Sequence, residues 1–212
     1  MGAVVRLTVI TPIGPGHEQH APECAASVLT AWGFSRGPFT RLTHELIIDT
    51  AGDMGRSAAR NGAIQGSDAD WLFLLDADDL MRPDAFHWVG EAVERDDVVA
   101  IFGAVSTDAQ GTIAENVYPC GWGDVLEHGA RGTLSMGCYV RGADAKEEPF
   151  NEAIDKGEDF EWYLRLLEYR AFVKLPRPLV TIRTKVPSAI GPRGYRSLDW
   201  RKACDRFVDE YR

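Results

Sequence analysis

Three aspartates fall within four positions at Asp76-Ala77-Asp78-Asp79, directly after the apolar run Leu72-Phe73-Leu74-Leu75. Carboxylates this close repel one another, which raises their pKa values unless a cation is present. A divalent ion with oxygen ligands removes that penalty, and Mg2+ or Mn2+ commonly joins one or two carboxylates to substrate phosphates. Asp76 and Asp78 would point opposite ways in a strand but can converge in a turn after it. Helix capping is a good account of Asp79, yet it leaves Asp76 at the strand end unexplained. The expected site is therefore a metal centre at Asp78 and Asp76. A second acidic pair, Glu158-Asp159, opens a stretch with apolar residues at Phe160, Tyr163, Leu164 and Leu167. That is the spacing of an amphipathic helix, and acids at its start complement the macrodipole.

The elements that must position these residues alternate. Residues 4–10 read as a buried strand stopped by Thr11-Pro12, followed by a Gly-Pro-Gly loop and a helix over about 22–32. Residues 45–49 look like a second buried strand, 57–65 an Ala-rich helix, and 71–75 a third apolar strand ending at Asp76. Pro83 is placed to open a helix running to about 95, and 98–105 is another apolar run. Strand–helix alternation of this kind indicates an α/β layer with a mostly parallel central sheet flanked by helices. In open α/β sheets, ligands bind at the carboxyl ends of the strands, where the aspartates lie. The second half is less regular. Asp108–Gly111 has turn chemistry, 133–140 suits a strand, 158–169 the amphipathic helix, 172–175 and 179–182 extended segments, and 197–211 a closing helix. With no repeat and no linker, a single domain over 1–212 is expected, its halves meeting near residue 105.

Composition narrows the class. The chain has 212 residues, and no apolar run approaches the roughly 20 residues that a membrane span needs. The apolar start at 3–10 is too short for a signal peptide. The cysteines (Cys24, Cys120, Cys138, Cys204) show no zinc spacing and read as reduced thiols, so a cytoplasmic protein with no membrane partner is expected. The net charge of −9 is uneven: residues 170–206 carry +8 and the rest −17. Such a basic segment suggests that one end meets an anion. Two motifs fail on inspection. Gly14-Pro15-Gly16-His17-Glu18-Gln19 lacks the third glycine of a dinucleotide fingerprint. His17-Glu18-Gln19-His20 lacks one residue of the zinc-protease spacing and reads as a polar loop, placed after the first strand where it could border a ligand.

The segment Ala59-Arg60-Asn61-Gly62-Ala63-Ile64 with Trp71-Leu72-Phe73-Leu74-Leu75-Asp76-Ala77-Asp78-Asp79 closely resembles the central segment of family 2 glycosyltransferases of the GT-A fold. About 80 residues later, Gly157-Glu158-Asp159-Phe160-Glu161-Trp162 looks like that family's ED-containing helix, with Pro149-Phe150-Asn151 similar to the segment before it. Ile182-Arg183-Thr184-Lys185-Val186-Pro187-Ser188 stands at the place of its basic donor-contacting loop. The chain departs from the family pattern at Pro12-Ile13-Gly14-Pro15, where Pro-x-Tyr-Asn is usual, and at Asp49-Thr50, where paired aspartates are common.

The resemblance implies a nucleotide-diphospho-sugar transferase fold, with a donor-binding half at about 1–105 and an acceptor and catalytic half at about 106–212. It also implies an inverting, Mn2+- or Mg2+-dependent transfer from a nucleotide-diphosphate sugar, UDP-sugar being the expected donor, to a hydroxyl acceptor. Asp159 would be the catalytic base, supported or capped by Glu158. Asp78 would hold the metal, with Asp76 sharing it or contacting the ribose. Thr11, Pro12, Asp49, Arg60, Arg183 and Lys185 would surround the donor, and Trp162 would line the acceptor side or join the core. Two other readings stand beside this one: a non-catalytic nucleotide-sugar binding module, and the same chemistry on a hydroxymethylated DNA base. The second rests on Arg193, Arg196, Arg201 and Lys202, with Tyr195 and Trp200 available to stack.

Overall fold

The computed structural model describes residues 4–112, 116–118, 120–130, 132–184 and 198–212. Its first half contains β1 (Arg6–Ile13), α1 (Ala21–Phe34), β2 (Arg41–Ile48), α2 (Arg56–Gly66), β3 (Trp71–Leu74) and the short β4 (Leu80–Met81). A 3-10 turn (His87–Val89), α3 (Gly90–Val93) and β5 (Val98–Phe102) follow. The second half contains β6 (Ser106–Thr107), β7 (Gly111–Thr112), α4 (Trp122–His128), β8 (Cys138–Arg141), α5 (Gly142–Glu147), α6 (Glu158–Leu167), β9 (Ala171–Lys174), β10 (Val180–Thr181) and α7 (Leu198–Glu210).

Six strands form one sheet in the order β2-β1-β3-β8-β5-β9. Pairing is parallel between β1 and β2, β1 and β3, and β5 and β9, while β8 is antiparallel to both β3 and β5. Five strands thus point one way and β8 opposes them. Helices cover both faces, and β3 shows why its sequence is apolar throughout. Trp71, Phe73 and Leu75 join the cluster under α1 with Val28 and Ala31; Leu72 and Leu74 join the opposite cluster with Ile64, Leu164 and Phe207. A strand buried on both faces cannot alternate with polar residues. No described helix is long and apolar enough to cross a membrane.

Four features differ from the sequence reading. β1 does not stop at Thr11-Pro12 but continues to Ile13, because Ile10 bonds toward β3 and Ile13 toward β2. By alternation the missing Pro12 N–H faces the β3 side, beyond the last β3 residue, where no ladder bond is lost. β2 is an edge strand and not a buried one: Leu46 and Ile48 are 42% and 69% exposed. The helix expected over 83–95 breaks into turns, a 3-10 turn and the four-residue α3. Gly90 weakens helix propagation at the centre. The strand expected over 133–140 is confined to β8, and α4 and α5 were not anticipated.

Gly137 admits β8 to the sheet beside the end of β3. Its N–H donates to the Leu74 carbonyl at 2.9 Å, with φ at +83°. A Cβ there would lie 2.4 Å from Val180 Cγ1 of β10. Gly137→Ala is therefore expected to lower stability by about 1–3 kcal/mol. Urea denaturation would show this as a lower midpoint with an unchanged slope.

Candidate active site

Beyond the carboxyl ends of β1, β2 and β3 lies a cavity of about 370 Å³. Pro12 and Ile13 of β1 and the loop residues Gly14, Pro15 and His17 form one side; Asp49 follows β2; Arg56, Ala59 and Arg60 come from the first turns of α2. The turn after β3 contributes Asp76, Ala77 and Asp78, and the approach to α6 contributes Asp155, Glu158 and Asp159. The two acidic motifs, far apart in sequence, thus border one space.

Asp76, Asp78 and Asp79 each place a carboxylate oxygen so that all lie within 4.8 Å of one another. Burial, and then the charge of Asp76, raises the Asp78 pKa against the opposing pull of His17 and Arg183. Asp79 is raised further, by burial and by both neighbouring aspartates. Oxygen ligands crowded at raised proton affinity fit a hard divalent cation, which would relieve the repulsion. Asp79 does not cap a helix. It is buried, and its Oδ1 accepts the Arg183 backbone N–H at 3.0 Å.

Arg183 is carried here by β10, which pairs antiparallel with β4 just after the aspartate turn. Its guanidinium donates to the carbonyls of Asp78 and Ala77 and pairs with Glu23 Oε2 at 2.5 Å. Arg183 thereby straps the turn from outside the cavity wall. Thr11 also lies off the wall, fully buried, with Oγ1 3.0 Å from His44 Nε2. Asp49 borders the cavity, and its Oδ2 accepts the N–H groups of Met54 and Gly55 at 3.2 and 2.9 Å, fixing the loop into α2. Trp162 is core: fully buried, stacked on Phe150 at 4.2 Å, its indole donating to the Glu148 carbonyl. Lys185, Arg193, Tyr195 and Arg196 lie outside the described residues, whereas Trp200 packs against the core.

Arg60 joins the two acidic motifs. It is 4% exposed, with Nη2 2.7 Å from Asp76 Oδ1 and Nη1 3.2 Å from Glu158 Oε1. Burial opposes its charge, but Asp76 and Glu158 outweigh that and raise its pKa. Its guanidinium also lies 5.4 Å from the Phe150 ring centroid, while Asn61 clamps the Phe150 backbone through both side-chain amide atoms, at 3.0 and 2.8 Å. The neighbouring Arg56 was not singled out in the sequence. Its Nε lies 3.4 Å from Glu158 Oε1, and Nη2 donates to the Asp155 carbonyl at 2.9 Å. Its place one helical turn before Arg60, on the same α2 face, was the available signal. His17, read as part of a polar loop, lines the cavity within electrostatic reach of Asp78.

Asp159 occupies the second position of α6, with Oδ1 2.8 Å from the Phe160 N–H. The helix N-terminus alone would favour the carboxylate. Burial and the adjacent Glu158 charge prevail over Arg60 and the Phe160 N–H, and the pKa is pushed up to about 7.

Residues 45–119 match the family described as Glycosyl transferase family 2. The matched segment contains α2, β3 and the aspartate turn and ends before α6. No curated protein matches the chain in sequence. Among solved structures, S. aureus TarS 1-349 is 14% identical with a TM-score of 0.66, over 85% of this chain and 61% of that one. The same protein in complex with UDP-GlcNAc gives 13% and 0.66, over 88% and 60%. Glucosyl-3-phosphoglycerate synthase from Mycobacterium tuberculosis, in complex with Mn2+, UDP-glucose and phosphoglyceric acid, gives 15% and 0.58, over 97% and 77%. The chain thus spans about three fifths of the TarS 1-349 chain. The fold is that of GT-A glycosyltransferases.

The raised Asp159 pKa has a consequence for stability. Between about pH 4, where an ordinary aspartate titrates, and about pH 7, the folded chain holds a proton that the unfolded chain has lost. Stability should therefore fall as pH rises through that window. Asp159→Asn should raise the melting temperature at pH 8 and leave it nearly unchanged at pH 4. An equal shift at both pH values would contradict this.

Proposed function

We propose that the chain is an inverting, cation-dependent glycosyltransferase that moves a sugar from a nucleotide-diphosphate sugar, with UDP as the nucleotide, to a hydroxyl acceptor. The observation that carries this reading is the single cavity bordered by both the aspartate turn and a carboxylate whose pKa is about 7. The family match over the aspartate turn supports it, as do the UDP-sugars bound in structures of the same fold.

In this mechanism Asp76 and Asp78 would hold Mn2+ or Mg2+, which when bound would neutralise charge on the diphosphate leaving group. Asp49, Pro12 and Ile13 border the cavity and would face the nucleotide. Asp159 takes the proton of the acceptor hydroxyl while that oxygen bonds to the anomeric carbon. The carbon–oxygen bond to the diphosphate breaks on the opposite side, so the anomeric configuration inverts. A base whose pKa lies near the working pH is both ionised enough to accept a proton and basic enough to pull it. This proton-accepting carboxylate at the cavity favours a transferase over a binding module. Among the described residues and the similar structures, nothing favours a DNA acceptor.

The test uses UDP-glucose and UDP-GlcNAc with Mn2+, following release of UDP with water or added hydroxyl compounds as acceptor. EDTA should abolish turnover, and Mn2+ or Mg2+ should restore it. Asp78→Asn should weaken UDP binding in the presence of Mn2+, whereas Asp159→Asn should retain binding and lose roughly 10²-fold or more in rate. Full turnover in excess chelator, or normal turnover by Asp159→Asn, would refute the mechanism.

A further inference from the structure

We propose that Glu158 is a positioning residue that, clamped between Arg56 and Arg60, sets the pH at which Asp159 can accept a proton. The inference rests on the reading of Asp159 as the base and adds what controls it. Glu158 is 5% exposed, too buried to be an ordinary solvated helix-start acid. Its Oε1 is held from two sides, by Arg60 Nη1 at 3.2 Å and Arg56 Nε at 3.4 Å. Arg56 is anchored in turn on Asp155 and Arg60 on Asp76. A capping acid needs only the N-terminal amide groups of its own helix. Glu158 instead reaches across to α2, and its charge is fixed at the residue preceding Asp159.

Every charged or titratable group facing Asp159 can be assigned a direction. Glu158 on α6 and Asp76 after β3 raise its proton affinity, and Arg60 on α2 lowers it. Cys138 on β8, Tyr163 on α6 and Cys204 on α7 also lie within its field, and burial keeps all three thiol and phenol groups neutral in the physiological range. Among the described residues, Glu158 is therefore the negative charge that acts most on Asp159, and its removal leaves the residues of the aspartate turn unaltered. An Asp159 without it would ionise at lower pH and pull less strongly on an acceptor proton. The Glu158 charge trades ease of ionisation for basicity, and the two arginines temper it.

The decisive measurement is the titration of the Asp159 carboxyl by carbon NMR in 13C-aspartate-labelled protein, its signal assigned by loss in Asp159→Asn. No donor, metal or acceptor is needed, so the outcome is independent of whether UDP-sugar turnover is found. The wild-type midpoint should lie near 7, and Glu158→Gln should lower it by about one pH unit, a tenfold loss of proton affinity. Glu158→Asp, which keeps the charge, should restore most of the shift. Should Glu158→Gln fail to fold, Arg56→Gln serves in its place. It leaves Glu158 paired with Arg60 alone, less neutralised, and should move the midpoint upward. A wild-type midpoint in the ordinary aspartate range, or a midpoint unmoved in the folded variants, would overturn the proposal.

Discussion

A guanidinium at 4% exposure is stable only where anions and hydrogen-bond acceptors replace the water it has lost, and Arg60 finds them on two elements that border the cavity. Asp76 belongs to the end of β3, Glu158 to the start of α6, and α2 carries the arginine between them. Breaking a buried pair of this kind by removing one partner costs about 3–5 kcal/mol, because the other charge is left uncompensated. The bridge also orders the rest of the site. Asp76 is anchored by its ion pair, Glu158 is fixed beside Asp159, and the Phe150 ring near the guanidinium is held through its backbone by Asn61. On the outer side, Arg183 holds the carbonyls of the same turn, so the aspartates are braced from the core and from the surface by two different arginines.

Much of this was legible in the sequence because it is local. An apolar run ending in aspartates reports a strand buried on both faces and its carboxyl end, and the three-and-four spacing after Glu158 reports α6. The less legible parts depend on partners distant in the chain. Nothing in 138–141 announces a strand that inserts antiparallel between β3 and β5, since that slot exists only once both neighbours are placed. Sequence shows the charge of Arg183 but not the main-chain carbonyls of Asp78 and Ala77 that its guanidinium meets. Arg56 and His17 border the cavity from the start of α2 and from a loop, where no long apolar period marks a functional side. The helix expected over 83–95 failed for a visible reason, a central glycine.

The family match and the geometry speak to different parts of the molecule. The matched residues cover the aspartate turn and stop at 119, whereas the carboxylate with the elevated pKa lies on α6. The link between them is physical: the same cavity, and one arginine bonded to both motifs. At 13–15% identity the solved structures share the backbone frame, and the side chains that brace it here must be argued from their own contacts.

The insertion of β8 has a further consequence for the chain as it leaves the ribosome. β3 pairs with β1 on one edge as soon as residue 74 has emerged, but its other edge waits for 138–141. Until then Trp71-Leu72-Phe73-Leu74, apolar on both faces, presents an open row of backbone donors and acceptors. Such an edge is a template for pairing with another nascent chain. The strand that leads into the site's aspartates is thus a segment open to misassembly during synthesis, and translation speed across 75–141 sets how long that exposure lasts.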